Sequence, residues 1–152
     1  MRTKSAGPAD KHRLYEMSVQ DPSEEIRFIR RVYRKRFGSY PSLLREDFCG
    51  TAAVCCRWAT ISPRNRAVGI DLNHSIISWA RRHHLHAIGT AADRVRLVRG
   101  DVLRPPAFRP HVVVAMNFSY FTFKERSVLL SYLSGVRRAL LPKGILVLDI
   151  YG

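Results

Sequence analysis

Residues 41–52 read PSLLREDFCGTA. Two leucines lead into an acidic pair, Glu46-Asp47, and then into Phe48-Cys49-Gly50-Thr51-Ala52. Gly50 permits a tight turn and close backbone approach. The pattern predicts a strand over 42–48, a turn, and a helix rich in small residues over 51–61. The same alternation continues downstream. A second strand is predicted over 66–71, with Val68 and Ile70 apolar. Asn73 can cap a helix carrying Ile76, Ile77, Trp79 and Ala80. A third strand is predicted over 94–99 and a fourth over 111–116. Three consecutive valines in the fourth suit a strand covered on both faces. Thr122 and Glu125 form a capping box for a helix carrying Leu129, Leu133, Val136 and Leu140. Pro142 and Gly144 terminate that helix, and a fifth apolar strand follows over 145–150. The stretch after the third strand, with Pro105, Pro106 and Pro110, is too broken for a full helix. Strands alternating with helices at this spacing give an α/β fold with an open, mainly parallel sheet.

Upstream of this alternation, Asp21 caps a helix, Pro22 occupies its first position, and Glu24 follows three residues after the cap. Ile26, Ile29, Tyr33 and Phe37 recur at helical spacing, and Gly38 ends the segment. Its apolar stripe is expected to pack on the domain. A short helix is expected over 10–19, around Leu14 and Tyr15. Residues 1–9 read as a disordered start and 10–152 as a single domain.

Composition excludes several classes. With 46% apolar and 25% charged residues the chain is globular,. No run of eighteen apolar residues marks a membrane helix. Met1 to Asp10 lacks the apolar centre of a secretory signal, so the expected location is cytoplasmic. Cys49, Cys55 and Cys56 are an odd, clustered set without a Cys-x-x-Cys pair, which argues for reduced thiols and against a zinc site. His74, His83, His84 and His86 read as solvated helix residues with no matching ligand set. The net charge of +14 is spread along the chain and reads as a basic surface,. No aromatic-basic interleaving of the single-strand-binding kind is apparent, so a nucleic-acid-binding module ranks last among the functions considered.

In open parallel sheets, ligands bind beyond the carboxyl ends of the strands. Small or polar residues occupy every predicted strand exit: EDFCGTA from Glu46, Asp71-Leu72-Asn73, Gly100-Asp101-Val102-Leu103, Asn117-Phe118-Ser119-Tyr120, and Asp149-Ile150-Tyr151-Gly152. Thr51 to Ala53 begin a helix whose free amides favour a ligand's negative group. Asp71 lies 21 residues after Gly50. That is about the separation at which an acid accepts hydrogen bonds from ribose hydroxyls. Asp101 could accept from an adenine amino group, with Val102 and Leu103 as an apolar wall.

The series LREDFCGTA, VGIDLN, VRLVRGDVL, VVVAMNFSYF and LLPKGILVLDIYG resembles the class I S-adenosylmethionine-dependent methyltransferases, and among them a bacterial branch carrying EDFCGT. The resemblance covers roughly residues 12–152. It implies a Rossmann-like three-layer α/β/α fold with about five strands in the order 3-2-1-4-5, preceded by N-terminal helices. It implies S-adenosyl-L-methionine as cofactor, and the cysteines and histidines considered above add no metal. Carried over by position, it places Glu46 near the methionine amino group and Phe48, Cys49, Gly50 and Thr51 around the methionine moiety. It makes Asp71 the ribose acid and Leu72 the residue packed on adenine. Asp101 and Val102 become the adenine-edge pair, and Asn117 lies near the transferred methyl. Asn117 and Tyr120 are the candidate catalytic residues beside the acceptor, and Tyr15 could close over the cofactor. Phe48 and Ala52 stand where the commoner motif has glycine, and are expected to narrow the loop.

The function implied is methyl transfer to an acceptor that is a small molecule, a protein or RNA. The alternative is a non-catalytic S-adenosylmethionine-binding fragment or pseudoenzyme. A nicotinamide-dependent enzyme is disfavoured, because a pyrophosphate needs three glycines and only Gly50 remains. The resembled fold has seven strands, and this chain stops at the exit of the fifth. The domain is therefore expected to be incomplete at its C-terminus, with an exposed fifth-strand edge through which a homodimer could form.

Overall fold

The computed structural model describes residues 21–150. The expected start over 1–9, the helix over 10–19 and Tyr15 lie outside the described residues. The first described helix, α1 (Pro22–Phe37), begins where its cap predicts. The Asp21 carboxylate accepts from the amides of Ser23 and Glu24 at 3.0 and 3.2 Å. Glu24 does not reach back to close a capping box; it pairs with Arg27 instead. Gly38 ends the helix at φ 75, and its N–H donates to the Arg34 carbonyl. The buried residues Ile26, Ile29 and Tyr33 form one stripe, packed on α2 (Ala53–Ile61).

Five strands follow: β1 (Leu43–Asp47), β2 (Arg66–Asp71), β3 (Val95–Arg99), β4 (Val112–Ala115) and β5 (Ile145–Leu148). They form one parallel sheet in the order β3-β2-β1-β4-β5, the order expected. Among the described residues, β5 has β4 on one side and no strand on the other. Helix α3 (His74–Ala80) starts at Asn73, whose side chain accepts from Ser75 and Ile76, and runs on into a π-helical turn over Arg81–Leu85. No helix forms between β3 and β4, as the prolines require,.

Side chains of successive strand residues alternate between the sheet's two faces, and the two cores follow that period. Leu44, Ala67, Val112 and Val114 join Ile26, Ile29, Trp58 and Ile77 on the α1/α2/α3 side. Val68, Ile70 and Val113 join Tyr132 and Val136 of α4 (Arg126–Ala139) on the other. β2 spans the predicted 66–71, and the other four strands are one or two residues shorter than predicted because pairing stops earlier. Residues 116 and 149–150 leave the sheet to form the loops described below.

One expectation fails locally. Thr122 does not cap α4; the helix starts at Arg126, and its N-cap Glu125 makes no side-chain cap bond. Thr122 instead ends a 3₁₀ turn over Ser119–Thr122 and bounds a cavity at the strand exits. The chain has to cross that exit before it can turn back along the sheet, so the helix begins later than the local pattern indicates.

The α4 face also contains a charged group. Arg45 and Asp47, two residues apart on β1, share a face and are both fully buried. Arg45 Nε and Nη2 each donate to an Asp47 oxygen at 2.9 Å. Tyr132 Oη, from α4, donates to Asp47 Oδ2 at 2.8 Å. Burial pushes the Asp47 carboxyl up, and Arg45 and the Tyr132 hydroxyl pull it back. Removing one member of a buried pair strands the other without solvent. Asp47→Ala should therefore cost about 3–5 kcal/mol, and Tyr132→Phe about 1–3 kcal/mol. Urea denaturation checks both; a loss below 1 kcal/mol for Asp47→Ala, on the order of an ordinary surface change, would contradict the assignment.

Candidate functional site

Parallel register brings the strand exits to one edge. Asp47 pairs with Ile70, Asp71 with Arg99, and Glu46 with Val114. The strand order reverses between β1 and β4, and their exit loops diverge into a crevice,. Two adjoining cavities fill it. The first, of about 290 Å³, is bounded by the β1 exit from Glu46 to Thr51, by Asp71 and Ile76, and by Met116, Asn117, Ser119 and Thr122 beyond β4. The second, of about 230 Å³, is bounded by Leu72, Gly100, Asp101, Val102 and Phe123. Phe48, Asp71 and Thr122 bound both.

The sequence-nominated residues distribute between them. Glu46, Cys49, Gly50, Thr51 and Asn117 bound the first cavity, Leu72, Asp101 and Val102 the second, and Phe48 and Asp71 both. Tyr120 bounds neither. It is buried, and its Oη donates to the Asp149 carbonyl at 2.9 Å.

The turn after β1 is held by its own backbone. The Cys49 amide donates to the Ile70 carbonyl at 2.9 Å, and the Ala52 amide to the Cys49 carbonyl at 2.7 Å. The Gly50 amide donates to Asp71 Oδ2 at 2.9 Å, while Asp71 Oδ1 accepts from Asn73 at 2.8 Å. Gly50 sits at φ 51, and so, unexpectedly for side-chain-bearing residues, do Phe48 and Ala52, at φ 57 and 58. The loop thus keeps the left-handed conformation that glycine adopts freely, at roughly 1–2 kcal/mol per residue. Packing compensates: Phe48 rests against Phe123 and Tyr132 at ring separations of 5.7 and 6.2 Å, and Ala52 is fully buried. Gly69 on β2 provides the room, since a Cβ there would lie 2.9 Å from Cys49 Sγ.

Across the crevice, Asn117 and Phe118 also have left-handed φ, at 56 and 54. Both Asp149 oxygens hold that turn, accepting from Asn117 at 2.7 Å and Phe118 at 3.0 Å. Sequence reading missed this role, although Asp149 occupies the same strand-exit position as Asp71 and Asp101. It also missed Glu25 of α1, which is half-buried and has an Oε2 without a partner among the described residues. No periodic signal separates Glu25 from an ordinary first-turn acid.

The site is acidic. Glu46, Asp47, Asp71 and Asp101 bound the two cavities, and no Lys, Arg or His does. Glu46 is buried, and its Oε2 accepts from the Cys55 amide at 3.0 Å. Burial first, opposed by the Cys55 bonds and reinforced by Glu25 and Asp71, raises its carboxyl to about 8. Burial, then Asp149 and Asp21, raise Glu25 to about 7. Burial first, then Glu46, push the Cys49 and Cys55 thiols well above their usual range, so neither is a ready thiolate nucleophile,. All three cysteines are free and buried. Such a crevice suits a ligand that brings positive charge to Glu46.

No family model and no curated protein matches the chain. Solved structures do match. An amino pentose methyltransferase from Micromonospora echinaspora, solved with S-adenosylmethionine bound, superposes with a TM-score of 0.75 at 18% identity, over 99% of this chain and 60% of its own. A sugar N-methyltransferase from a Streptoalloteichus species gives 0.73 at 20%, over 99% and 58%. An S-adenosylmethionine-dependent methyltransferase from Clostridium acetobutylicum gives 0.74 at 17%, over 91% and 55%. The chain therefore has the Rossmann-like fold of these methyltransferases and spans 55% to 60% of their length.

The raised carboxyls fix a pH dependence. An unfolded Glu loses its proton near 4.5, whereas folded Glu25 and Glu46 keep theirs to about 7 and 8. Between those values the folded state binds more protons, so stability falls as pH rises. The ligand-free protein should melt at a lower temperature at pH 8 than at pH 5, and Glu46→Gln should flatten that slope. A melting temperature that rises across the window in the parent, or an unchanged slope in the variant, would contradict the burial assigned to Glu46.

Proposed function

We propose that the crevice binds S-adenosyl-L-methionine and that the protein catalyses methyl transfer from it. The observation that carries the reading is a two-part acidic cavity, free of bounding basic side chains, at the point where the strand order reverses. A dinucleotide would bring a pyrophosphate to the β1 turn, against Glu46 and Asp71. S-adenosylmethionine carries no phosphate and has two positive centres, an ammonium and a sulfonium, so the residues fit it.

When bound, the cofactor supplies a methyl group on a positively charged sulfur. The protein's part is positioning. In this reading Glu46 accepts from the methionine ammonium, which restores its ionised form. The first turn of α2, whose N-cap Ala52 makes no side-chain cap bond, offers amides to the amino-acid carboxylate. Asp71 has both oxygens engaged by backbone amides, and its remaining lone pairs take the ribose hydroxyls. Leu72 and Val102 sandwich the adenine, and Asp101 accepts from its edge. Asn117, held in place by Asp149, faces the methyl. Tyr120 is a positioning residue, because its hydroxyl is engaged by the Asp149 carbonyl.

For the acceptor, the acidic rim and the likeness to a sugar N-methyltransferase favour an amine. An amine that reaches the methyl unprotonated needs no strong base on the protein. Pairing of a second copy along the open edge of β5 belongs to the same proposal; a monomer by light scattering would remove it.

Calorimetry tests the reading. S-adenosylhomocysteine should bind and NAD should not; the reverse preference would overturn it. Asp71→Ala should weaken S-adenosylhomocysteine by about 1.5–3 kcal/mol, through both the ribose and the loosened Gly50 turn. Unchanged affinity in a folded variant removes Asp71 from the site. Release of S-adenosylhomocysteine from S-adenosylmethionine with amine acceptors separates an enzyme from a non-catalytic binder.

A further inference from the structure

The outward face of α1 forms a second feature, unrelated to the crevice. Arg27, Arg30, Arg31, Arg34 and Lys35 line a groove together with Tyr40. Tyr40 lies three residues before β1, at the amino ends of the strands, whereas the candidate site lies at their carboxyl ends. The groove therefore faces a different part of the surface.

Among the described residues, a carboxylate holds only Arg27 of these five cations: Glu24 pairs with it, and no other acid forms an ion pair on this face. The Arg30 guanidinium lies 4.3 Å and that of Arg34 5.0 Å from the centre of the Tyr40 ring. Arg34 Nη1 also donates to Tyr40 Oη at 2.7 Å. Arg31 lies 5.9 Å from the centre of the Phe28 ring. Aromatic rings thus orient three guanidiniums that have no carboxylate partner among the described residues. The positions recur at intervals of three or four residues, so the charges repeat about every 5.4 Å along the helix axis.

The fields of like charges in a row add, so the row attracts an anion. Four of the five cations are arginine, whose planar fork matches phosphate oxygens in pairs. Phe28 and Tyr40 are each about half exposed, at 48% and 50%, and give exposed ring surface next to the arginines. Phe28 and Arg31 are three residues apart on one helix, whereas the Tyr40 stack is hidden in the linear sequence, because Tyr40 reaches the groove from beyond the end of the helix. A bilayer would need the apolar stripe of α1 to be free, but Ile26, Ile29 and Tyr33 are buried in the domain.

We propose that this face of α1 docks a single strand of nucleic acid through its phosphodiester backbone. The guanidiniums take successive phosphates, and the exposed aromatic edges tolerate any base, so binding depends on salt and little on sequence.

Fluorescence anisotropy of the full chain with a labelled oligouridylate 20-mer tests this, with salt varied between about 50 and 200 mM. Affinity should fall linearly on a log-log plot, by about 0.7 in slope for each phosphate contacted. Arg30→Ala with Arg34→Ala should weaken binding tenfold or more and lower the slope by about 1.4. Arg137→Ala with Arg138→Ala, equal in charge but on the exposed part of α4, should change affinity less than threefold. Equal losses in the two double variants would overturn the site, leaving only non-specific attraction to a basic protein. So would binding to polyglutamate, or to vesicles containing phosphatidylserine, as tight as to RNA. A matching melting temperature in all three proteins keeps the comparison free of folding effects.

Discussion

Carboxylates clamped by backbone amides hold the carboxyl edge of the sheet together. Glu46 accepts from Cys55, Asp71 from Gly50 and Asn73, Asp101 from Leu103, and Asp149 from Asn117 and Phe118. Two of these clamps cross between strands: Asp71 ties the β1 turn to the β2 exit, and Asp149 ties the β4 turn to the β5 exit. Bonds from an amide to a charged oxygen are about twice as strong as neutral ones. That sets the aspartate clamps apart from Glu46, whose buried carboxyl keeps its proton to about pH 8 without ligand. The clamps fix the loops before any ligand arrives, and they leave the outer lone pairs of the same acids for it. On the proposed function, one set of residues serves structure and recognition together.

That arrangement explains where strain is tolerated. Of the five non-glycine residues with left-handed backbone among the described residues, Phe48, Ala52, Asn117 and Phe118 lie on the two turns that face each other across the crevice, and the fifth, Lys143, lies in the turn before β5. Packing and the carboxylate clamps over-determine these turns, which is the condition under which strained conformations persist, and such strain gathers at functional sites. The aromatic replacement at Phe48 also joins the second core, through Phe123 and Tyr132. Through Tyr132 the loop is linked to the buried Arg45–Asp47 pair, so the rim rests on a polar group inside the sheet's α4 face.

The sheet was legible because its strands are apolar runs with acids and small residues at every exit. Val112-Val113-Val114 can only be a doubly covered strand, and Asp21-Pro22 and Gly38 bracket α1 unambiguously. The failures are tertiary in origin. Thr122 and Glu125 satisfy the local cap pattern, yet the chain there is needed to wall the crevice. The predicted strand over 42–48 gave Arg45 and Asp47 no pairing role, although their two-residue spacing puts them on one buried face. Asp149 was in phase with the other exits and could have been nominated. Glu25 and the Tyr40 stack depend on where α1 packs, which no local pattern carries. The loop glycines expected from commoner motifs are absent, yet the backbone keeps the glycine conformation, so identity at those positions says less than geometry does.

The account stands on one shared rim formed by loops far apart in sequence. Amide chemical-shift mapping during titration with S-adenosylhomocysteine examines that rim directly. The account predicts that Cys49, Gly50, Asp71, Asp101 and Asn117 shift together along one binding curve, while the amides of Arg30, Arg34 and Tyr40 stay still. Shifts confined to one of those loops, or centred on α1, would contradict it.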